Sequence, residues 1–358
     1  MVFASTCTRR LGKREQDSKH ENTMSRLLVI GIVVALLAVL PWVVPRYGGA
    51  EHAPIESASL RLKWVYDPGF AGELVAAKGG IFARHGLNVE IRPGGFEADP
   101  IKFVASGSDT FGVAGADSYL LAVEKGIPLR AFAAGYLQTP VVFYVRGNTG
   151  IDNPTEFLGK RVGYQAGQDT ATVYEALLRK LDVDRSKITE VPVKYDFSVF
   201  ESGAIDVWPG YAATQSYILQ RDKIPYRIIP PAQFGLSYLG TVYFARASFI
   251  DQHPQLVQKF VDSLIEGWEH TYGSQDHSIP LIQQYDPAAL TPDLIRFNLD
   301  TQKPYIKPDG MRYCEFSPAQ WTQLIETLHA QGLLATQPDL QKIVSFQFLQ
   351  AHYAAASR

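Results

Sequence analysis

Cysteine is close to absent, with Cys7 and Cys314 the two copies in 358 residues. That rules out a disulfide framework, a CxxC pair and any iron–sulfur spacing. Histidine occurs at 20, 52, 85, 253, 270, 277, 329 and 352, with no HExxH or HxH among them, so no metal ligands and no metal site are expected. The chain has no GxSxG elbow. Its glycine loops Gly163–Gly167 and Gly107-Ser108 lack the fingerprints of a dinucleotide or P-loop site. No catalytic residue and no cofactor is therefore predicted, and the chain reads as a protein that is not an enzyme. Basic surface is also scarce. The net charge is −2, yet residues 1–50 hold seven basic and three acidic groups, leaving 27 basic against 33 acidic beyond them. Without a basic stripe to neutralise phosphates, nucleic acid is excluded as the main partner.

What is present begins with an apolar run, Leu27–Val44, preceded by Arg26 and followed by Pro45, Arg46 and the small residues Gly48, Gly49 and Ala50. Its length falls between a long signal-peptide core and a short membrane span. Residues 1–50 are thus expected to be an N-terminal extension with a signal peptide or membrane anchor, with Met24 as the expected start of translation. Export places the remainder in the periplasm or at an extracytoplasmic membrane surface.

From residue 59 the chain alternates between strand and helix signals. Alternating apolar residues predict a strand over Leu60–Tyr66, Asp67-Pro68-Gly69 turns the chain, and helical spacing runs over Ala71–His85. Further strands are read at 88–92, 110–114, 129–133, 161–164, 190–194, 206–208 and 226–229, with helices between them. Apolar strands at 141–145 and 240–245 join the two runs, and from His253 onward the pattern is helical. Repeated βα units predict an α/β fold of two lobes, each a mainly parallel sheet flanked by helices. The boundaries expected are 59–142 plus 242–358 for lobe 1 and 143–241 for lobe 2.

An α/β lobe presents ligand groups outside the carboxyl ends of its strands. The residues at those positions are Trp64, Tyr66, Phe70, Asp117, Tyr136, Gln138, Gln165, Asp169, Thr170, Trp208 and Tyr211, and these are the predicted ligand-binding residues. Aromatic rings there suit a flat ligand, each contact adding about 0.5–1.5 kcal/mol beyond area burial. Asp117 and Gln138 are placed to orient it. Trp64 and Trp208 fit an inter-lobe core as well, and Asp169 or Thr170 a plain helix cap.

The stretch from Lys63 to Gly95, KWVYDPGFAGELVAAKGGIFARHGLNVEIRPGG, resembles the opening of the ABC-importer solute-binding proteins for nitrate, sulfonates, taurine and thiamine pyrimidine precursors. Phe157–Gly163 (FLGKRVG) and Glu201–Trp208 (ESGAIDVW) extend the likeness over roughly residues 60–275. The resemblance implies a two-lobed periplasmic-binding-protein fold of type II, a small solute in the cleft, an ABC permease as partner, and a monomer. Its nearest branch is the one that binds thiamine pyrimidine precursors. Asp67-Pro68-Gly69-Phe70 departs from that branch's Asn-Pro and His, so riboflavin, alkylsulfonate, taurine or nitrate stay open as ligands. The chain also resembles the fungal-type hydroxymethylpyrimidine phosphate synthase over residues 62–272. That enzyme's cysteine-rich block would fall at Gly235–Gly240, which has no cysteine, and its sacrificial His and Lys would fall at Ser118 and Ala114.

Overall fold

The computed structural model describes residues 55–356 apart from 96 and 195. Cys7, Met24, the run Leu27–Val44 and the small residues behind it lie outside the described residues. Among the described residues, no helix is long and apolar enough to cross a membrane.

Among the described residues, ten strands form two five-stranded sheets. The first contains β1 (Glu56–Arg61), β2 (Leu87–Arg92), β3 (Phe111–Gly115) and β4 (Leu129–Ala134). The second contains β5 (Val141–Arg146), β6 (Arg161–Tyr164), β7 (Thr189–Pro192), β8 (Val207–Tyr211) and β9 (Tyr226–Ile229). The chain then returns to the first sheet as β10 (Thr241–Arg246). The orders are β2-β1-β3-β10-β4 and β7-β6-β8-β5-β9. In each sheet one strand runs against the rest: β10 is antiparallel to β3 and β4, and β5 to β8 and β9. These are the two strands that adjoin the crossings between sheets. Both are buried on both faces, which is why VVFYVR and TVYFAR read as continuous apolar runs.

Six helices frame the cleft: α1 (Ala71–Lys78), α2 (Ala116–Glu124), α3 (Asp169–Lys180), α4 (Thr214–Arg221), α5 (Pro254–Gly273) and α6 (Pro292–Ile306). The helix expected over Ala71–His85 is in fact two, because the chain passes Gly80 at φ +71° and a second turn starts at Ile81. The α1–α5 crossing needs glycine on both sides. A Cβ on Gly267 would sit 2.3 Å from the Gly72 carbonyl oxygen, and one on Gly72 would meet the Trp268 indole at 2.5 Å. Helix α6 belongs to neither sheet alone, since it packs on the Pro68–Phe70 turn and on α4.

The two crossings are tied to one another. Gly135 N donates to Thr241 O at 3.0 Å, Gly240 N to Tyr136 O at 2.9 Å and Thr139 N to Tyr238 O at 2.8 Å. Leu137 N adds a bond to the Tyr305 carbonyl at the end of α6, 2.9 Å long. This double ribbon is the covalent connection between the halves, and the cleft opens beside it.

Candidate functional site

Strand β1 stops at Arg61, and residues 62–66 continue as a bent segment. The segment ends at Asp67, whose side chain accepts from Gly69 N at 2.7 Å and caps the Pro68–Phe70 turn. Freed from strand alternation, Lys63 reaches across the cleft. Its Nζ donates to Asp169 Oδ2 at 2.7 Å and to the Tyr211 hydroxyl at 2.5 Å, and it lies 5.1 Å from the Tyr211 ring centroid. Tyr211 in turn donates to the same Asp169 oxygen at 2.5 Å. Lys63 follows a first-sheet strand, whereas Asp169 opens α3 and Tyr211 ends β8. The triad therefore joins one half of the molecule to the other.

Asp117 stands in the first turn of α2, directly after β3, and only 2% of it is exposed. Its Oδ1 accepts from Ser118 N at 2.7 Å. Burial raises its pKa above the usual carboxylate value and the charge of Asp169 adds to the rise, while Lys63 and the Ser118 N–H oppose it. Burial likewise pushes the Tyr211 phenol well above its ordinary value, with Asp169 contributing. Tyr238 is buried, its pKa is raised by burial and then by Asp117 and Asp169, and its hydroxyl has no partner among the described residues.

On the α6 side, Tyr136 donates to Gln302 Oε1 at 2.9 Å, and Gln302 Nε2 donates to the Pro68 carbonyl at 2.8 Å. The Tyr136 and Tyr211 rings meet edge to face, 6.3 Å apart. The gap that Asp67, Tyr136, Tyr211, Asn298 and Gln302 line is about 10 Å³, at the limit for one water molecule. The cleft is shut, and its walls are phenols, amides and carboxylates.

Of the residues expected from the sequence, Asp117, Tyr136, Asp169 and Tyr211 come together here. Gln165 and Thr170 stand next to Asp169. The Thr170 hydroxyl donates to Gln165 Oε1 at 2.8 Å, and Gln165 Nε2 donates to the Lys194 carbonyl at 2.9 Å. Gln138 lies in the first crossing, where its N–H donates to Tyr305 O at 3.1 Å. Phe70 is buried in the core of the first half. Trp64 is half-buried, with its ring beside Gly95. Tyr66 is turned elsewhere: its hydroxyl donates to Ile91 O at 3.1 Å, and its ring packs on Tyr285 at 4.9 Å.

Trp208 is in the core of the second half, edge-on to Phe197 at 5.2 Å, with its indole N–H unpartnered among the described residues. The sequence reading placed a turn at Pro209-Gly210, which would put Trp208 and Tyr211 on one side. The structure keeps those residues within β8, where period two sends Trp208 and Tyr211 to opposite faces. Pro209 is tolerated because β6 pairs with β8 only at Val207, so no ladder N–H is missed on that side.

The reading of the sequence also passed over Lys63, Tyr238, Asn298 and Gln302. Treating Leu60–Tyr66 as one strand put Lys63 with Arg61 on an outer polar face. Asn298 and Gln302 are four residues apart on one helical face, a visible signal had the helix not been ended at Asn298. Tyr238 lies in an irregular segment with no periodicity to read.

Among the described residues, no group of three His, Cys, Asp or Glu side chains is arranged to hold a metal ion. Residues 67–278 match a family model described as NMT1/THI5 like, more than half of the chain. The chain belongs to the NMT1/THI5-like family. It is 24% identical to the riboflavin-binding protein RibY of Chloroflexus aurantiacus over a match of 351 positions that covers 90% of this chain and 97% of that protein. It is 23% identical over 239 residues to the 4-amino-5-hydroxymethyl-2-methylpyrimidine phosphate synthase of Legionella pneumophila, covering 65% of this chain and 75% of the synthase. The crystal structure of the periplasmic aliphatic sulphonate-binding protein SsuA from Escherichia coli superposes with a TM-score of 0.66 at 16% identity, over 82% of this chain and 92% of that one. The fold is that of the periplasmic binding proteins: two α/β halves, each on a mixed sheet, with a cleft between them.

Proposed function

We propose that the protein is the extracytoplasmic solute-binding component of an ABC importer, and that its solute is a small flat heterocycle of the thiamine pyrimidine-precursor type. The ligand lies between the halves against Tyr136, Tyr211 and Asp117, and closure around it presents the protein to a membrane permease. The observation that carries this reading is the meeting of the Tyr136 and Tyr211 rings at the junction of the halves, with Tyr211 bonded to Asp169 and the buried Asp117 close by. Phenol rings offer faces to a flat ring, and carboxylates accept its N–H groups. Among the described residues, the lysine that reaches the cluster is paired with Asp169, and no lysine or arginine lines the adjoining gap to receive a sulfonate or nitrate.

A riboflavin ligand is the second reading, favoured by the relative of that name matching 90% of this chain. Binding without turnover is supported by the resemblance to the synthase, which would put that enzyme's sacrificial His and Lys near Ser118 and Ala114. The apolar run Leu27–Val44 supports export, and we place the mature protein outside the cytoplasm as a monomer. A thermal-shift panel of aminopyrimidines, riboflavin, taurine, alkylsulfonates and nitrate tests the reading. At a hundredfold excess over Kd the right ligand stabilises by about 2.7 kcal/mol. A shift with taurine or nitrate alone, or product accumulating with time, would refute it.

A further inference from the structure

The cluster at the junction is unbalanced. Lys63 is shared between Asp169 and Tyr211, which leaves Asp117 without a salt-bridge partner of its own among the described residues. No lysine or arginine lines the adjoining gap. Two buried carboxylates thus face one ammonium. A second observation points the same way. Asn298, 1% exposed, lines the gap with an Oδ1 that has no donor among the described residues, and the hydroxyl of Tyr238, 4% exposed, has no partner among them either. Buried polar groups are nearly always hydrogen-bonded, so the Asn298 Oδ1 is short of a donor and the Tyr238 hydroxyl short of a partner. Within the cluster, the charged donor that reaches across the halves is the Lys63 ammonium.

We propose that Lys63 stands, in the shut cleft, where the ligand's own N–H donors or positive charge will sit, so that the site selects heterocycles with an N–H donor edge and turns away anions. This rests on the cleft being the solute site. Opening carries Lys63 away with the first half, and an amino or imide edge of the entering ring takes its place on Asp169 while reaching Asp117. Lys63 is then an internal competitor, and its pairing with Asp169 lowers the population able to receive ligand.

The test titrates the purified protein with 4-amino-5-hydroxymethyl-2-methylpyrimidine and with the analogue whose amino group is dimethylated, which keeps the ring and removes the donors. Riboflavin and its N3-methyl derivative form the second pair, and methanesulfonate is the anion probe. The donor-bearing member of a pair is expected to bind at least about tenfold tighter. Lys63→Met is expected to tighten that binding by about tenfold through loss of the competitor. Asp117→Asn and Asp169→Asn are expected to weaken it about 10- to 100-fold, as for loss of a charged hydrogen bond. Misfolding cannot mimic a gain of affinity, and Asp169→Asn breaks the same ion pair with the opposite expected sign. Weaker binding in Lys63→Met, or saturable methanesulfonate binding by the wild type, would make Lys63 a direct ligand contact and overturn the inference while leaving the binding protein intact. Failure of the wild type to bind any probe would refute the proposed function itself.

Discussion

Glu73 is fully buried in α1, where Oε1 accepts from the Tyr243 hydroxyl at 2.5 Å and Oε2 has no partner among the described residues. Burial pushes its pKa up to about 7, and the Tyr243 bond only partly offsets the rise. An unfolded glutamate ionises near pH 4.3, so between these values the folded protein keeps a proton that the unfolded chain has lost. Stability from this group is full below about pH 4.3 and falls as pH rises through about 7, by a total on the order of 3 kcal/mol. Urea unfolding at pH 4.5 and 8 should show the fall, and Glu73→Gln should flatten it. An unchanged slope in the variant would place the titration elsewhere. Trp208 gives a second residue-scale prediction. With its indole against Phe197 and Phe200 in the core, Trp208→Ala should cost about 3–5 kcal/mol of stability. Normal stability with lost ligand binding would instead return Trp208 to the cleft.

Among the elements, the crossings are the most tightly built. A Cβ on Gly240 would lie 2.8 Å from the Tyr136 Cβ and 3.0 Å from the Gln138 carbonyl oxygen. Gly240→Ala must therefore push the two crossing segments apart. It should destabilise by about 1–3 kcal/mol and weaken ligand binding by displacing Tyr136, as read by unfolding and calorimetry on the same sample. Full affinity in that variant would mean the ribbon does not position Tyr136. The strands were legible in the sequence because burial writes them as apolar runs: β6 and β9 fall where the periodicity puts them, and β5 and β10 within one or two residues. What could not be read was where a strand lets go. β1 ends early and frees Lys63, while β8 runs on through Pro209-Gly210 and turns Trp208 inward. Both outcomes depend on which neighbour pairs at each register, a long-range fact that local pattern does not carry. The carboxylates and tyrosines at strand ends were legible, since the α/β topology alone gathers them.

At the scale of the whole molecule, two α/β halves meet at a cleft where the gap beside Tyr136 and Tyr211 is about 10 Å³, and Lys63 with Asp169 pins them. A ligand has to part the halves, and its affinity includes the free energy of doing so. The buried Asn298 Oδ1 and Tyr238 hydroxyl, both without a partner among the described residues, are the reason a polar flat ring with donors and acceptors would restore what opening breaks. The most direct measurement is a calorimetric titration of the purified protein with the aminopyrimidine and with riboflavin, followed by recovery of the ligand and its mass spectrum. One equivalent of one of these rings should bind saturably and come back unchanged. Saturable binding of a sulfonate with neither ring bound, or conversion of a ring to product, would contradict the account.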